Sequence, residues 1–469
     1  MSLAELTVGD WFVLAQRELL LFAASFFLLG ALDELTLDLG YLWLRLTGRA
    51  RTARVGEGEL LGRPLAGRCA VFIPAWHEHQ VIAATIAHAL AAWPQAELRL
   101  YVGCYRDDLA TLSAAIGGCG GDPRLRIVIR DAAGPTCKAD CLNRLYRALQ
   151  HDEARDGAAA RMIVLHDAED MVDPAALPLL DAAMAHADFV QLPVLALPQA
   201  ASPLVAGHYS DEFAEAHGKA MVVRSALGQG IPGAGVGCAI ARPWLDRLDA
   251  QRNGAGPFAT GALTEDYELG LQSAALGARG TFLRVRTTTG RLIATRAYFP
   301  ATMSAAIRQK ARWINGIAFQ GWDRLGWRGS PGALWMQLRD RRGPLAALLL
   351  ALAYVLVMVS AIEFALVQAG LLISLPLTAA METVLTLNLV ALAWRLAVRA
   401  TFTAREYGAF QGLLAIPRIV ISNTVAIIAA RRAAFAYARS LRGAQTAWDK
   451  TEHHSHPVMV RAAIRQEPA

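Results

Sequence analysis

Polar and apolar positions follow two different rhythms along this chain. From residue 66 to about residue 330, short apolar runs are separated by amphipathic stretches. The segments "RCAVFIPA", "LRLYVG", "LRIVIR", "RMIVLH" and "DFVQLPV" predict strands. Between them, an amphipathic stretch ending at Ala92, the segment "LATLSAAIG" and a stretch from Lys138 to Leu149 predict helices. Strand–helix alternation of this kind builds an α/β domain around a parallel sheet. In such sheets ligands bind beyond the carboxyl ends of the strands.

Outside that region the apolar runs are longer. Leu19 to Leu32 is an uncharged run of 14 residues, closed by Asp33 and Glu34. A membrane span needs about 20 residues, which the preceding "WFVLAQ" supplies if Arg17 and Glu18 face other helices. No small-residue cleavage site follows, so an uncleaved membrane helix is expected rather than a signal peptide. Pro344 to Ile362 is a 19-residue run without a charge and predicts the clearest span. A further run, Leu371 to Trp394, is closed by Arg395 and Arg399. Its Glu382, and Glu363 before it, need protein or an interface beside them.

Arg45, Arg49, Arg51, Arg54 and Arg63 follow the first run, against Arg17 alone before it. The positive-inside bias puts the N-terminus outside and the following segment in the cytoplasm. Arginines flank both ends of the later pair, which predicts a hairpin, three spans in all and a cytoplasmic C-terminus. Residues 401–435 are apolar but interrupted by Pro417 and Arg418. They read as helices lying in the interface, with a fourth short span as the alternative. The expected order is 1–50 N-terminal membrane helix and connector, 51–65 linker and 66–330 cytosolic α/β domain. A transmembrane hairpin (331–400) and interfacial helices with a cytosolic tail (401–469) follow.

Composition agrees with this division. A chain of 469 residues is too long for one core. With 54% apolar and only 18% charged residues, part of it belongs in lipid. The formal charge of +6 is concentrated beside apolar runs and at Arg431, Arg432, Arg439 and Arg442, which suits an anionic membrane surface. No compact basic recognition element is present, and nucleic acid is not expected as a partner. The six cysteines form no CxxC pair and read as reduced thiols. The tail "AWDKTEHHSHP" holds three histidines without a metal partner set and reads as solvated. No internal repeat is found.

Three segments carry candidate chemistry. "RMIVLHDAEDMVDP" (161–174) ends a predicted strand with four carboxylates. Asp167 and Glu169, two apart, can turn toward one ion as the chain leaves the sheet. Hard cations such as Mg2+ or Mn2+ combine one or two carboxylates with substrate phosphates. Asp170 and Asp173 read as supporting or helix-starting acids. In "LTEDYELG", Thr264, Glu265 and Asp266 can be a capped helix start, or Asp266 can be a general base. In "RQKARWINGIAFQGW", Gln309, Arg312 and Trp313 share one helical face. There an arginine can clamp a diphosphate and a tryptophan can face a sugar ring.

Taken in order, "AWHEH", "GPTCKADCLN", "DAED", "GAGVGCAIAR", "TED" and "QKARW", followed by membrane helices, resemble the processive, membrane-integrated family 2 glycosyltransferases such as cellulose and hyaluronan synthases. Those enzymes carry an acid-x-acid metal site, a Thr-Glu-Asp base motif and a Gln-x-x-Arg-Trp motif. All three stand here in the same order, over residues 66–330. A closer resemblance, nearly end to end, is to bacterial inner-membrane glycosyltransferases named for phage adsorption. It rests on "FIPAWHEHQVI", "GPTCKADCLN", "LHDAEDMVDP" and "AWDKTEHHSHP". Members of that group often carry a further C-terminal domain that responds to a cyclic dinucleotide; here such control is expected from elsewhere.

The resemblance implies a GT-A fold, an α/β domain with a mixed, mostly parallel sheet set between transmembrane helices. It implies a UDP-sugar donor and Mg2+ or Mn2+ on Asp167 and Glu169. Asp266, beside Glu265, would be the base. Lys138 and Arg312 would assist the diphosphate, Glu78 would lie near the nucleotide, Gln309 would share the donor face, and Trp313 would stack on the acceptor. One base and no second nucleophile implies inversion. Gly235 and Gly237 would admit the acceptor or simply make a turn. The expected product is a cell-surface or secreted polysaccharide, with N-acetylhexosamine as the sugar by the closer resemblance. The place is the bacterial inner membrane, with a growing glycan as acceptor. Three spans are few for a channel, so a homo-oligomer or a secretion or regulatory partner is expected.

Two departures stand out. Family members have an Asp at the end of the second strand to contact the nucleoside, whereas "VGCYRDD" places Gly103 and Cys104 there, with Asp107 and Asp108 just after. Glu169 also replaces the usual second Asp. The competing readings are a single transfer onto a polyprenyl phosphate and an inactive envelope or phage-receptor scaffold. A transporter is disfavoured because more than half the chain is an α/β domain.

Overall fold

The computed structural model describes residues 8–50, 52–131, 133–134, 136–371, 376–443 and 455–459. In chain order the strands are β1 Ala53–Val55, β2 Cys69–Pro74, β3 Leu98–Tyr105, β4 Leu125–Arg130, β5 Met162–Leu165 and β6 Phe189–Gln191. They continue with β7 Val194–Ala196, β8 Cys238–Ala241, β9 Gly280–Phe282, β10 Val285–Thr287 and β11 Thr295–Ala297. Seven of them form the central sheet, in the order β4-β3-β2-β5-β8-β6-β9. Only β8 runs antiparallel to its neighbours, so the sheet is mixed and mostly parallel, as expected.

The central strands are continuous apolar runs because both faces are covered. Val71, Ile73 and Val164 pack with Ile82, Ile86, Leu177 and Leu180 on one face. Phe72, Ile163 and Leu165 pack with Leu142, Leu145 and Leu149 on the other. The helix carrying those leucines runs Lys138–Asp156, longer than its predicted end at Leu149.

One predicted strand divides. "DFVQLPV" becomes β6 in the central sheet and β7, which pairs in parallel with β11. Pro193 lies between them. It has no N–H to give a ladder and its φ is fixed, so the sheet cannot continue through it. The segment expected as a linker also holds structure: β1 pairs with β10 of the α/β domain.

Among the described residues, four helices are long and apolar enough to cross a membrane: Val8–Leu46, Gly343–Gln368, Ala379–Tyr407 and Ala409–Ser440. Where interfacial helices or a fourth span were expected, the last is one continuous 32-residue helix that carries Pro417 inside it. It packs closely on the α/β domain. Ala429 and Ala433 pack against Ala311, and the buried Arg418 pairs with Asp211 at 2.9 Å.

A dense set of charges joins membrane helices to the domain. Lys219 Nζ lies 2.5 Å from Asp38 and 2.9 Å from Glu215. Arg395 bridges Glu34 and Glu215 at 2.8 and 2.9 Å, and Arg399 reaches Glu215 at 3.1 Å. Arg339 and Arg342 hold Asp33 and Glu34. Arg339 belongs to the helix Pro331–Arg341, whose Asp340 also binds Arg224 and the Tyr267 hydroxyl at 2.9 Å. The packing of the α/β domain therefore reaches one helix past residue 330.

Candidate active site

At the carboxyl ends of β2 and β5 a cavity of about 590 Å³ opens. Chain segments far apart in sequence meet there. Asp167 and Glu169 enter from the turn after β5. Glu78 enters after β2, where its own N–H donates to Thr111 Oγ1 at 2.9 Å. Lys138 is the first residue of its helix, and Glu265 and Asp266 open the helix Glu265–Ala275. Gln309, Arg312 and Trp313 line the opposite wall from the helix Met303–Ile314. Asp167, Glu169, Glu78, Lys138, Glu265, Asp266, Gln309, Arg312 and Trp313 thus face one cavity.

Lys138 ties the acids together. Its Nζ lies 2.6 Å from Asp167 Oδ1 and 3.7 Å from Glu265 Oε1. Burial works against the ammonium, but Asp167, Glu265 and Asp266 outweigh it and raise its pKa. One cation does not balance three acids. Burial pushes Glu265 up to about 7, against the pull of Lys138 and with help from Asp266. Burial also raises Asp266, again against Lys138 and with Asp167 adding to the rise. Both acids open a helix, where the dipole favours negative charge. Thr264 stands at the N-cap without making a capping bond, so the simple capping explanation for the motif fails.

The loop Pro232–Gly237 shapes the floor. Gly235 has φ +77°, and a Cβ there would strike the Asp266 carboxylate and come 3.3 Å from Lys138 Nζ. A Cβ at Gly233 would come 2.6 Å from the Asp266 carbonyl. Gly237 also has positive φ. The glycines therefore make a turn and let that turn approach Asp266. Sequence reasoning missed the fully buried Gln191, which knits the loop. Its Oε1 accepts from the Ala234 N–H and its Nε2 donates to the Val236 carbonyl, both at 2.8 Å. A polar residue inside an apolar strand was the available signal.

The acids after β3 play another part. Asp108 accepts from the Thr111 N–H at 3.2 Å and from the His77 N–H at 2.5 Å. Asp107 is exposed and accepts from the Gly134 N–H. Neither lines the cavity, whose wall here is Trp76 and Tyr105. A Cβ at Gly103 would come 2.5 Å from Cys141 Sγ, so the close approach of the Lys138–Asp156 helix excludes a side chain there. Asp173 is also structural, buried against Arg291 and Arg296. Asp170 accepts from His166 Nδ1 at 2.8 Å and from the Asp167 N–H at 3.0 Å, which fixes the turn.

Trp313 is less open than a free platform. Its ring meets Tyr209, Phe213 and Phe299 edge-on, with centroids 6.1, 6.4 and 6.5 Å away. Gly316 follows it closely; a Cβ there would come 2.5 Å from Thr264 Oγ1. That contact locks the aromatic helix to the acid helix.

Among the described residues no three His, Cys, Asp or Glu side chains converge tightly enough to hold a metal unaided. Asp167 and Glu169 on one cavity wall still fit a divalent cation, because such ions take their other oxygens from substrate phosphates and water. The tail departs from expectation. His453 and His454 lie outside the described residues, while His456 is fully buried rather than solvated.

Comparison with known proteins agrees with this geometry. Residues 66–316, more than half the chain, match the family described as "Glycosyltransferase like family 2". The chain is 31% identical over 458 residues to the bacteriophage adsorption protein B of Escherichia coli K12 and to the bacteriophage N4 adsorption protein B of Escherichia coli O157:H7. The match covers 91% of this chain and spans about 60% of the length of those relatives. A mannosyltransferase of Pyrobaculum calidifontis, solved with GDP-Man and Mn2+, shares the fold. It has a TM-score of 0.53 and 17% identity, over 86% of this chain and 99% of that one. The chain belongs to the family 2 glycosyltransferases.

Proposed function

We propose that this family 2 glycosyltransferase works at the bacterial inner membrane, polymerising sugar from a UDP-sugar onto a growing glycan with inversion at the anomeric carbon. The observation that carries the reading is the meeting of Asp167, Glu265 and Asp266 around Lys138, in a cavity shared with Gln309, Arg312 and Trp313.

The reaction is one displacement. The acceptor oxygen bonds to the anomeric carbon, the bond to the donor diphosphate breaks, and the nucleoside diphosphate leaves with the bonding electrons. Asp266 takes the proton of the acceptor hydroxyl; its raised pKa brings it toward the working range of a base. Arg312 and Lys138 face the departing diphosphate with charge-assisted bonds. Asp167 and Glu169 would hold a divalent cation, whose chemistry is to neutralise charge on that leaving group. Glu78, Trp76 and Tyr105 form the end of the cavity where the nucleoside would lie. Trp313 closes the acceptor side.

The placement of Gln309, Arg312 and Trp313 on the cavity wall favours polymerisation over a single transfer to a polyprenyl phosphate. The arginines that follow the first long helix support an N-terminus outside and a catalytic domain in the cytoplasm, where nucleotide sugars are made. The test is nucleotide release by membranes containing the protein, with a panel of UDP-sugars and GDP-mannose, plus Mg2+ or Mn2+. Release from one UDP-sugar that stops on chelation, with a product that grows on a gel, is expected. No release from any donor would overturn the enzymatic reading, and release from GDP-mannose alone would overturn the choice of nucleotide.

A further inference from the structure

The turn bearing Asp167 and Glu169 is gripped from behind through its carbonyl oxygens. Thr85 Oγ1 donates to the Ala168 carbonyl. His88 Nε2 bonds the Val172 carbonyl at 2.9 Å, and Trp93 Nε1 donates to the Asp173 carbonyl at 3.0 Å. These three come from the helix Ile82–Ala92 and its C-cap. The carbonyl of Asp170 is held from elsewhere: His456 Nε2 lies 3.1 Å from it, across 286 residues of sequence.

His456 is a bridge with both ends occupied. A carbonyl can only accept, so Nε2 carries the hydrogen. Nδ1 accepts from the Val458 N–H at 3.2 Å. The ring is 0% exposed and lies 6.2 Å from the ring of His88. Asp170 is the residue whose carboxylate fixes the Asp167 N–H and His166. Its backbone orientation therefore sets the direction in which Asp167 and Glu169 point.

We infer that His456, from the C-terminal segment, is a positioning residue for the Asp167–Glu169 turn, so that docking of this segment tunes how that turn receives the cation and diphosphate. The inference rests on the proposed function for its kinetic consequence but not for its structural one. Outer partners that orient metal-binding groups typically matter about tenfold or more in metal affinity.

The experiment uses the full chain in detergent. In His456→Ala, amide exchange in the peptide spanning 166–174 should quicken about tenfold, while exchange in β2 stays unchanged. The Mn2+ concentration that half-saturates nucleotide release should rise about tenfold, with a smaller change in kcat. His456→Gln, which keeps a donor, and added imidazole with His456→Ala should both restore part of the loss. Unchanged exchange in 166–174 would overturn the inference, whether or not the protein turns over. So would a variant with loosened exchange but a wild-type Mn2+ requirement. Failure of the wild type to release any nucleotide would instead strike the functional reading, leaving the exchange measurement to decide this one.

Discussion

Two clusters of carboxylates in this molecule use the same residue types to opposite ends. In the cavity, Asp167, Glu265 and Asp266 share Lys138, and burial lifts Glu265 to about 7. Where the membrane helices meet the domain, Asp33, Glu34, Asp38 and Glu215 face Lys219, Arg339, Arg342, Arg395 and Arg399. Burial would raise Glu215 too, but Arg395 and Arg399 outweigh it and hold its pKa at about 2. Surplus negative charge leaves one site ready for a cation or a proton. Matched charge makes the other a fastener. Counter-charge, more than burial, separates the cavity acids from the holding ones.

The largest way to test that contrast is Asp266→Asn. Turnover should fall by about 10² to 10⁴, the usual contribution of a general base, while the melting temperature stays level or rises because one unbalanced charge is gone. A variant that unfolds would put Asp266 with the fasteners. Lys219→Ala should do the reverse. Removing one partner from a buried pair leaves stranded charge and costs about 3–5 kcal/mol. Its effect should appear in denaturation in detergent, with the KM of the surviving fraction unchanged.

Acid titration sharpens the contrast further. The folded pKa of Glu215, about 2, lies below its ordinary value of 4.5. Its ionised form therefore stabilises the fold above pH 4.5, and that contribution drains away as pH falls toward 2. Melting curves of the wild type should show this loss, and Glu215→Gln should flatten that part of the profile. The smallest effect is expected from Gly235→Ala. An L-residue at positive φ costs about 1–2 kcal/mol, but the new Cβ also meets the Asp266 carboxylate. Turnover should drop more than stability does; equal losses would mean the loop matters only for folding.

Much of this was legible in the chain. The apolar runs marked β2 through β6, and the acidic and Gln-x-x-Arg-Trp motifs named seven residues that line one cavity. What stayed hidden depends on distant partners. Nothing near Asp108 says that its carboxylate is used by the Thr111 and His77 N–H groups. Nothing near Glu34 names Arg395, 361 residues away, as its counter-ion. β8 escaped notice because its four residues follow a glycine-rich turn that drew the reading. The Ala409–Ser440 helix was read as broken at Pro417 and Arg418. In fact Arg418 finds Asp211 in the domain, and the helix runs on.

The helix Val8–Leu46 has 39 residues, a length of about 58 Å, against roughly 30 Å of hydrocarbon to cross. It is an unbroken strut that leaves the bilayer and carries Asp33, Glu34 and Asp38 to their partners. A strut has no hinge at the lipid surface. The stretch long and apolar enough to span a bilayer and the charges that meet Lys219, Arg339 and Arg395 therefore belong to one continuous helix.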